Sequence, residues 1–221
     1  MFDRIAGRYD MLNHVLSANL DRGWRRSAAG ELGEEARRVL DLCGGTGDMS
    51  LALARRPLGT HVVCCDFSHE MLTRAVAKFR RAGLSRSSAV VEADALRLPF
   101  RDASFDGVTV AFGVRNLADP RAGFQEMMRV LVPQGRLVVL EFSAPTRPAL
   151  AAVYRWYLAR ILPRIGDGLS GAAGPYGYLS RTISAFPEPP VLAGWIREAG
   201  FAACGWRTRA GGIVAIHTAI K

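Results

Sequence analysis

The feature that most constrains the fold is a hydrophobic run that ends in a glycine-rich turn, VLDLCGGTGD, at residues 39–48. The apolar residues of this run suit a strand that is buried on both faces, as in a parallel sheet. Gly44, Gly45 and Gly47 then let the backbone turn sharply and approach a ligand closely. Residues 49–55 are the predicted following helix. A strand, a glycine turn and a helix in this order predict a nucleotide-binding site.

A second apolar run supports this interpretation. Residues 61–65 form a predicted strand that leads directly into Asp66, roughly 20 residues after the turn. An acid at the tip of the second strand of a doubly wound sheet is placed to accept hydrogen bonds from ribose hydroxyls. We therefore expect Asp66 to bind the ribose of a nucleotide cofactor.

The acids around the turn discriminate between two kinds of cofactor. A dinucleotide places its pyrophosphate on the helix N-terminus, where a third glycine allows close packing. That glycine is missing here, and the Asp48 carboxylate would repel a phosphate. S-adenosylmethionine carries a sulfonium, an ammonium and a carboxylate but no phosphate, so Asp41 and Asp48 would favour it. The pattern favours a methyltransferase over a dehydrogenase, with a glycine turn and helix caps in an ordinary sheet protein as the structural alternative.

Length and composition limit the other classes. A chain of 221 residues suffices for one α/β domain with a modest insertion, but two full domains are not expected. The sequence has neither an apolar run of about 18 residues nor a signal-peptide pattern, so we expect a cytoplasmic protein. The four cysteines lie in apolar runs without CxxC spacing, which predicts reduced core residues and no metal site. The net charge of +9 suggests an anionic partner such as lipid head groups, or simply a solvated arginine-rich surface.

Strands and helices alternate along residues 39–144, which predicts a parallel sheet that forms the cofactor-binding core. After the first two strands, the predicted elements are a helix at 68–81, strands at 89–93, 105–112 and 135–142, and a helix capped by Asp119 and ending near Val132. Residues 201–207 and 213–220 are predicted to form an antiparallel hairpin at the sheet edge. A mostly parallel seven-stranded sheet with such a hairpin predicts the α/β, Rossmann-like fold of class I S-adenosylmethionine-dependent methyltransferases.

Two segments fall outside this core within the single predicted domain. Residues 1–30 are predicted to form a helical cap, and residues 145–190 a helical lid inserted before the last helix and hairpin of residues 191–221. Aromatic residues at helical spacing in the lid are either core or the wall of an apolar substrate site. The candidate substrate-binding residues of this lid are Tyr154, Tyr157, Tyr176, Tyr178 and Phe186.

Two longer segments resemble the signature segments of a known family. They are FDRIAGRYDMLNHVLSANLDRGWRR at residues 2–26 and FGVRNLADPRAGFQEMMRVLVPQGRLVVLEFSAPT at residues 112–146, and the likeness continues at residues 162–166 and 210–212. The chain thus resembles the ubiquinone and menaquinone biosynthesis C-methyltransferases over nearly its whole length. The resemblance implies S-adenosylmethionine as methyl donor and a polyprenylated quinol, such as 2-demethylmenaquinol, as acceptor.

The resemblance also implies positions for the cofactor site. One position corresponds to Thr46, which lies between Gly45 and Gly47. Asp66 is implied to bind the ribose, and Asp94 with Ala95 is implied to lie beside the adenine. A serine that often closes the fourth strand in this family is Ala111 here. Tyr9, in the first signature segment, is implied to be an active-site neighbour.

Arg115 and Asn116 follow the fourth predicted strand, at the sheet edge where ligands bind. A quinol ring carbon becomes nucleophilic when the neighbouring hydroxyl loses its proton, and it then attacks the sulfonium methyl in line. Because a guanidinium stays protonated, Arg115 is expected to stabilise the developing quinolate rather than act as the base. Asn116 is expected to orient the hydroxyl or a water. The structural alternative for Arg115 is a surface or salt-bridged arginine.

Several alternatives stay open. The acceptor ring is a naphthoquinol or a benzoquinol, since both have the same reactive edge. A nucleic-acid methyltransferase is a rival, but residues 111–116 read AFGVRN instead of the (N/D)PP(F/Y) motif that stacks a flipped base, so no nucleic-acid partner is expected. A non-enzymatic nucleotide-binding protein is the last rival. The expected partners are the quinol, an anionic membrane surface bound peripherally, and a second copy of the chain in a homodimer.

Overall fold

A computed structural model of the chain describes residues 17, 19–56, 59–162 and 175–221, with the backbone alone for residues 175–178. Its strands are β1 (Arg38–Leu42), β2 (His61–Asp66), β3 (Ser88–Glu92), β4 (Phe105–Ala111), β5 (Leu131–Phe142), β6 (Ala203–Arg209) and β7 (Val214–Ile220). They form one sheet in the order β3-β2-β1-β4-β5-β7-β6. β1 to β5 pair in parallel, and β7 pairs antiparallel with both β5 and β6. The predicted parallel sheet with an antiparallel edge hairpin is therefore confirmed.

Helices lie between the strands as the alternation predicts. They are α1 (Leu20–Gly30), α2 (Asp48–Ala54), α3 (His69–Arg81), α4 (Pro120–Val130), α5 (Pro148–Trp156), α6 (Pro175–Ala185) and α7 (Pro189–Glu198). Ser68 caps α3 by accepting a hydrogen bond from Met71 N, and Asp119 caps α4 by accepting from Arg121 N and Ala122 N. Both caps satisfy amides that a helix N-terminus leaves without an internal partner.

The sheet is covered on both faces by apolar residues. Along β5, Leu137 and Val139 join the cluster that includes residues of α4 and α7, whereas Val138 and Leu140 join the cluster that includes residues of α1 and α2. Successive side chains of a strand point to opposite faces, so a strand that is apolar at every position must be covered twice. Because β1 to β5 run parallel, their carboxyl ends lie at one edge of this covered sheet.

One predicted boundary is wrong. We expected the helix after Asp119 to continue to Val132, but α4 ends at Val130 and β5 already begins at Leu131. Leu131 pairs with Phe105, and the register shifts before Gly107 pairs with Arg136. Strand pairing with β4 therefore overrides the helical pattern, and Pro133 is tolerated because proline is accepted where a strand is irregular.

The predicted lid is described in part. α5 continues directly as a π-turn, Tyr157–Ile161, and Leu158, Leu162 and Ile183 form a small cluster between this turn and α6. Ser180 Oγ of α6 donates to the Leu158 carbonyl at 2.8 Å. Residues 1–16 of the predicted cap and residues 163–174 of the predicted lid lie outside the described residues. In the part of the chain that the structure describes, no helix is long and apolar enough to cross a membrane.

Candidate active site

The glycine turn between β1 and α2 has the geometry that the sequence predicts. Gly45 and Gly47 have φ angles of 55° and 85°, in the left-handed region that favours glycine. A Cβ on Gly47 would lie 2.7 Å from the ring of Phe79, so a side chain does not fit there. A Cβ on Gly45 would meet no atom within 4 Å, which shows that this glycine borders open space.

A cavity of about 330 Å³ lies at the edge of the sheet where β1, β2 and β4 end. Its volume is within the range of small-molecule sites, about 300–1,000 Å³. The predicted site residues that line it are Gly45, Thr46, Asp48, Asp66, Asp94, Ala95, Ala111 and Asn116. The structure thus brings together most of the predicted cofactor positions and one of the predicted catalytic residues.

Asp66 lies where the predicted ribose acceptor should be. Its Oδ2 accepts a hydrogen bond from Gly45 N at 2.8 Å, and its Oδ1 accepts from Ser68 N at 2.9 Å. A carboxylate offers about four lone-pair positions, so one group can accept from backbone amides and from hydroxyls together. Phe67, the next residue, is 78% exposed and lines the same cavity. The sequence analysis missed Phe67, although its place directly after a strand-end acid was a usable signal.

Asp41 is not on the cavity wall. It is fully buried, its Oδ2 accepts from Ser50 Oγ at 2.6 Å, and its Oδ1 accepts from Thr109 Oγ1 at 3.0 Å. Burial raises the pKa of Asp41 to about 6, although these hydrogen bonds oppose the shift. The structure therefore does not bring Asp41 to the cavity with the other predicted cofactor residues, and this carboxylate ties α2 and β4 to β1 beneath the turn.

Asp48 lines the cavity but its charge is compensated. Lys78 Nζ lies 2.6 Å from Asp48 Oδ1 and also donates to Thr46 Oγ1 at 3.1 Å. The argument that an uncompensated Asp48 carboxylate would repel a phosphate is therefore wrong, because an ammonium group neutralises it. The sequence analysis missed Lys78, which is placed by α3 rather than by the turn itself.

Arg115 follows β4 in a single 3₁₀ turn, Val114–Asn116. Its side chain is 5% exposed, and Nη1 lies 2.9 and 3.0 Å from the two carboxylate oxygens of Glu141. Nη1 also donates to the Phe112 carbonyl at 2.5 Å, while Nε is buried without a hydrogen-bond partner among the described residues. Burial raises the pKa of Glu141, and Arg115 opposes that shift. Arg115 is thus ion-paired with Glu141 at the end of β5, a partner that spacing along the sequence does not reveal, and unlike Asn116 it is not among the described residues that line the cavity.

The predicted substrate-binding aromatics fall into two groups. Tyr154 and Tyr157 pack against the cluster of α5 and α6, whereas Phe186 packs against the cluster that includes α4 and α7. Burial raises the pKa of Tyr154, and the charges of Arg115 and Glu141 also act on it. Tyr154 and Tyr157 thus share one cluster, and Phe186 belongs to another. The side chains of Tyr176 and Tyr178, and the whole of Tyr9, lie outside the described residues.

Comparison with known sequences identifies the family. The ubiE/COQ5 methyltransferase family matches residues 1–221. The chain is 50% identical over 202 residues to the demethylmenaquinone methyltransferase of Deinococcus radiodurans, which covers 91% of this chain and 83% of the relative. It is 46% identical over 218 residues to the protein of the same name from Thermus thermophilus, which covers 98% of each chain.

Solved structures support the fold. A SAM-dependent methyltransferase from Thermotoga maritima matches with a TM-score of 0.67 at 18% identity, over 100% of this chain and 97% of the other. A SAM dependent methyltransferase from Aquifex aeolicus gives a TM-score of 0.65 at 18% identity, over 89% of this chain and 88% of the other. The predicted class I fold is confirmed by these structures, and the predicted methyltransferase activity with its S-adenosylmethionine cofactor is confirmed by the family. This chain belongs to the ubiE/COQ5 methyltransferase family.

Proposed function

We propose that this protein transfers the methyl group of S-adenosylmethionine to a ring carbon of 2-demethylmenaquinol, in menaquinone biosynthesis. The observation that carries the proposal is the identity of 46–50% to proteins named demethylmenaquinone methyltransferase, over 91–98% of the chain. The cavity at the carboxyl ends of the strands supplies a site of suitable size and polarity for the donor.

The residues around the cavity fit the donor. Asp66 would accept hydrogen bonds from the ribose, and Asp94 with Ala95 would lie beside the adenine. The exposed ring of Phe67 offers a face on which a purine can stack. The open space at Gly45 leaves room beside the turn. When bound, S-adenosylmethionine supplies an electrophilic methyl group on a sulfonium.

The side chains after β4 and β5 would act on the quinol. Asn116 lines the cavity and would orient the hydroxyl that loses its proton. Arg115 stays protonated, and its pairing with Glu141 fixes the guanidinium. Its buried Nε has no hydrogen-bond partner among the described residues, and we infer that it donates to the oxygen on which negative charge develops once the quinol is bound. The family resemblance implies Tyr9 as a further active-site neighbour.

The acceptor's prenyl tail requires an apolar path, for which Tyr154 and Tyr157 supply one wall. α5 also carries Val153 and Trp156 on its solvent side, 61% and 59% exposed, next to the exposed Arg155. An exposed tryptophan beside a cation is typical of a helix that lies in a membrane interface. Because a polyprenyl quinol resides in lipid, we infer that α5 docks on an anionic bilayer.

Cosedimentation with vesicles tests this docking. The wild-type protein should sediment with anionic vesicles at low salt and be released at high salt. Trp156→Ala should weaken the binding, whereas Trp206→Ala, which removes a tryptophan that is 39% exposed on the edge strand β6, should not. If the wild-type protein does not sediment with anionic vesicles at low salt, the docking of α5 on a bilayer is contradicted.

Transfer of label from S-adenosylmethionine with a radioactive methyl group tests the reaction itself. We expect label in a short-tailed 2-demethylmenaquinol, with a mass increase of one methyl replacing one ring hydrogen. A demethylated benzoquinol and an RNA mixture serve as the competing acceptors. Preferential labelling of the benzoquinol or of RNA would contradict the proposal, as would cofactor binding without any turnover.

A further inference from the structure

One cation on the cavity wall has no role in the function proposed above. Arg25 of α1 is the single cationic side chain among the described residues that line the cavity. Three carboxylates, of Asp48, Asp66 and Asp94, line the same space. S-adenosylmethionine carries one carboxylate besides its two cationic groups, so a site for it needs one cation among its acids.

The contacts of Arg25 leave a donor without an acceptor. Its side chain is only 12% exposed, and its Nε forms an ion pair with Asp21 Oδ2 at 3.6 Å, a distance that is too long for a hydrogen bond. Asp21 in turn accepts from Ser17 Oγ at 2.8 Å. Arg25 Nε is buried without a hydrogen-bond partner in the described part of the chain. A buried donor of this kind costs free energy until a ligand supplies an acceptor.

The position of Arg25 relative to the strand ends indicates which part of the donor it meets. Its guanidinium lies 5.2 Å from the centre of the Phe112 ring, directly after β4. Asp66 ends β2 and Asp94 follows β3, and in the strand order both lie on the other side of β1. The proposed ribose and adenine positions are therefore at the opposite end of the cavity from Arg25. With the ribose and adenine in those positions, the amino-acid end of the donor would lie at the Arg25 end.

We propose that Arg25 binds the α-carboxylate of the methyl donor. A planar guanidinium matches a carboxylate in geometry and forms charge-assisted hydrogen bonds with it. The packing of Arg25 against Phe112 and Asp21 fixes the guanidinium before the ligand arrives. The proposal rests on the S-adenosylmethionine site proposed above and adds the residue that recognises the amino-acid end.

Two ligands that differ only in this carboxylate test the assignment by calorimetric titration. They are S-adenosylhomocysteine and S-adenosyl-3-thiopropylamine, its decarboxylated form. The wild-type protein should bind S-adenosylhomocysteine at least about tenfold more tightly than the decarboxylated ligand. Arg25→Met should bind the two ligands within about twofold of each other, through loss of S-adenosylhomocysteine affinity. Arg26→Met is the matched control, because Arg26 is the next residue of α1 and lines a neighbouring cleft rather than the cavity.

The outcomes separate this proposal from the function on which it rests. Equal affinity of the wild type for both ligands, or an Arg25→Met variant that keeps the wild-type preference, would overturn the role of Arg25. Equal weakening of both ligands by Arg25→Met would overturn it as well. If Arg25→Met does not fold, Arg25→Lys gives the same comparison, with a reduced preference expected and an unchanged one contradicting the proposal. A wild-type protein that binds neither ligand would instead contradict the proposed function.

Discussion

The glycine-turn end and the β4–β5 end of the sheet edge that carries the cavity differ in how their polar groups are satisfied. At the glycine turn, the carboxylates are engaged within the protein: Asp41 with two hydroxyls, Asp48 with Lys78, and Asp66 with two amides. On the β4 and β5 side, buried polar atoms without a hydrogen-bond partner among the described residues are Arg25 Nε, Arg115 Nε and Ser143 Oγ. Each such group costs about 1–3 kcal/mol. The polar groups at the turn therefore have partners within the protein, whereas the buried atoms on the β4 and β5 side have no hydrogen-bond partner among the described residues.

The largest effect is expected at the turn end, from Asp66→Ala. Loss of two charged hydrogen bonds to the ribose, about 1.5–3 kcal/mol each, should weaken binding of S-adenosylhomocysteine by more than about hundredfold. The amides of Gly45 and Ser68 also lose their acceptor, so the free energy of unfolding should fall by about 1–3 kcal/mol. Titration calorimetry and urea unfolding measure the two changes.

Asp102→Ala is the matched control for that experiment. The Asp102 side chain is 78% exposed and pairs with Arg129, and it does not line the cavity. This variant should bind S-adenosylhomocysteine like the wild type. Near-normal affinity in Asp66→Ala would remove Asp66 from the site and would contradict the view that the turn end is prepared for the donor.

At the other end, Arg115→Ala should affect turnover and stability more than cofactor affinity. It leaves the buried Glu141 carboxylate without its cation, which should lower the free energy of unfolding by about 3–5 kcal/mol. It also removes the proposed donor to the quinolate, so turnover should fall far more than the affinity for S-adenosylhomocysteine. Steady-state kinetics with a short-tailed demethylquinol, together with urea unfolding, measure these effects.

The double variant Arg115→Met/Glu141→Gln separates the two roles of the pair. It leaves no buried charge uncompensated, so it should recover much of the stability but not the turnover. Recovery of turnover together with stability would show that the pair only holds the fold. Loss of cofactor affinity equal to the loss of turnover in Arg115→Ala would place Arg115 at the donor rather than at the quinol.

Titration of the buried Asp41 should change how the free energy of unfolding depends on pH. Burial raises its pKa from 3.8 to about 6, so between these values the folded state binds more protons at this site than the unfolded state. The contribution of Asp41 to the free energy of unfolding must therefore fall as pH rises from about 4 to about 6, by about 3 kcal/mol. Asp41→Asn removes this titration, and urea unfolding of both proteins across that range measures the difference.

Asp106→Asn is a control of opposite sign. Asp106 accepts hydrogen bonds from Arg37 N and Arg38 N, and these bonds hold its pKa below the usual value. Its contribution to stability therefore grows as pH rises through that lowered pKa and is lost in acid. An Asp41→Asn profile parallel to the wild type would show that Asp41 does not titrate in this window.

The smallest effect is expected from Phe67→Ala. An aromatic ring that stacks on a purine contributes about 0.5–1.5 kcal/mol, so the affinity for S-adenosylhomocysteine should fall by about twofold to tenfold. Because the Phe67 side chain is 78% exposed, its removal should leave stability unchanged. Val76→Ala, at an exposed apolar residue of α3, is the control. Unchanged affinity in Phe67→Ala would exclude stacking on this ring.

The features that could be predicted from the sequence are those set by residues that are adjacent in the chain. The turn, the strand before it and the position of Asp66 follow from glycine, apolar runs and a strand-end acid, so they could be predicted locally. The partners of Asp48 and Arg115 lie 30 and 26 residues away and are set by the order of helices and strands. No periodicity in the sequence predicts that Lys78 lies beside Asp48 or that Glu141 lies beside Arg115. The neutralisation of the Asp48 charge by Lys78 could therefore not be predicted.

The same limit applies to the start of β5 and to the lid. Leu131 joins the strand because β4 pairs with it, which a helical pattern ending at Pro133 does not reveal. Phe186 shared an aromatic pattern with Tyr154 and Tyr157, yet it packs against a different cluster. Spacing along a helix indicates a shared face, but it does not indicate which surface covers that face.

The quinone profile of a strain that lacks this gene tests the central claim most directly. The deletion strain should accumulate 2-demethylmenaquinone, detected by mass as the loss of one methyl group per quinone. Complementation with the wild-type gene should restore menaquinone, whereas complementation with Asp66→Ala should not, and Asp102→Ala should restore it. A deletion strain with unchanged menaquinone, or one that accumulates a demethylated ubiquinone precursor instead, would contradict the proposed function.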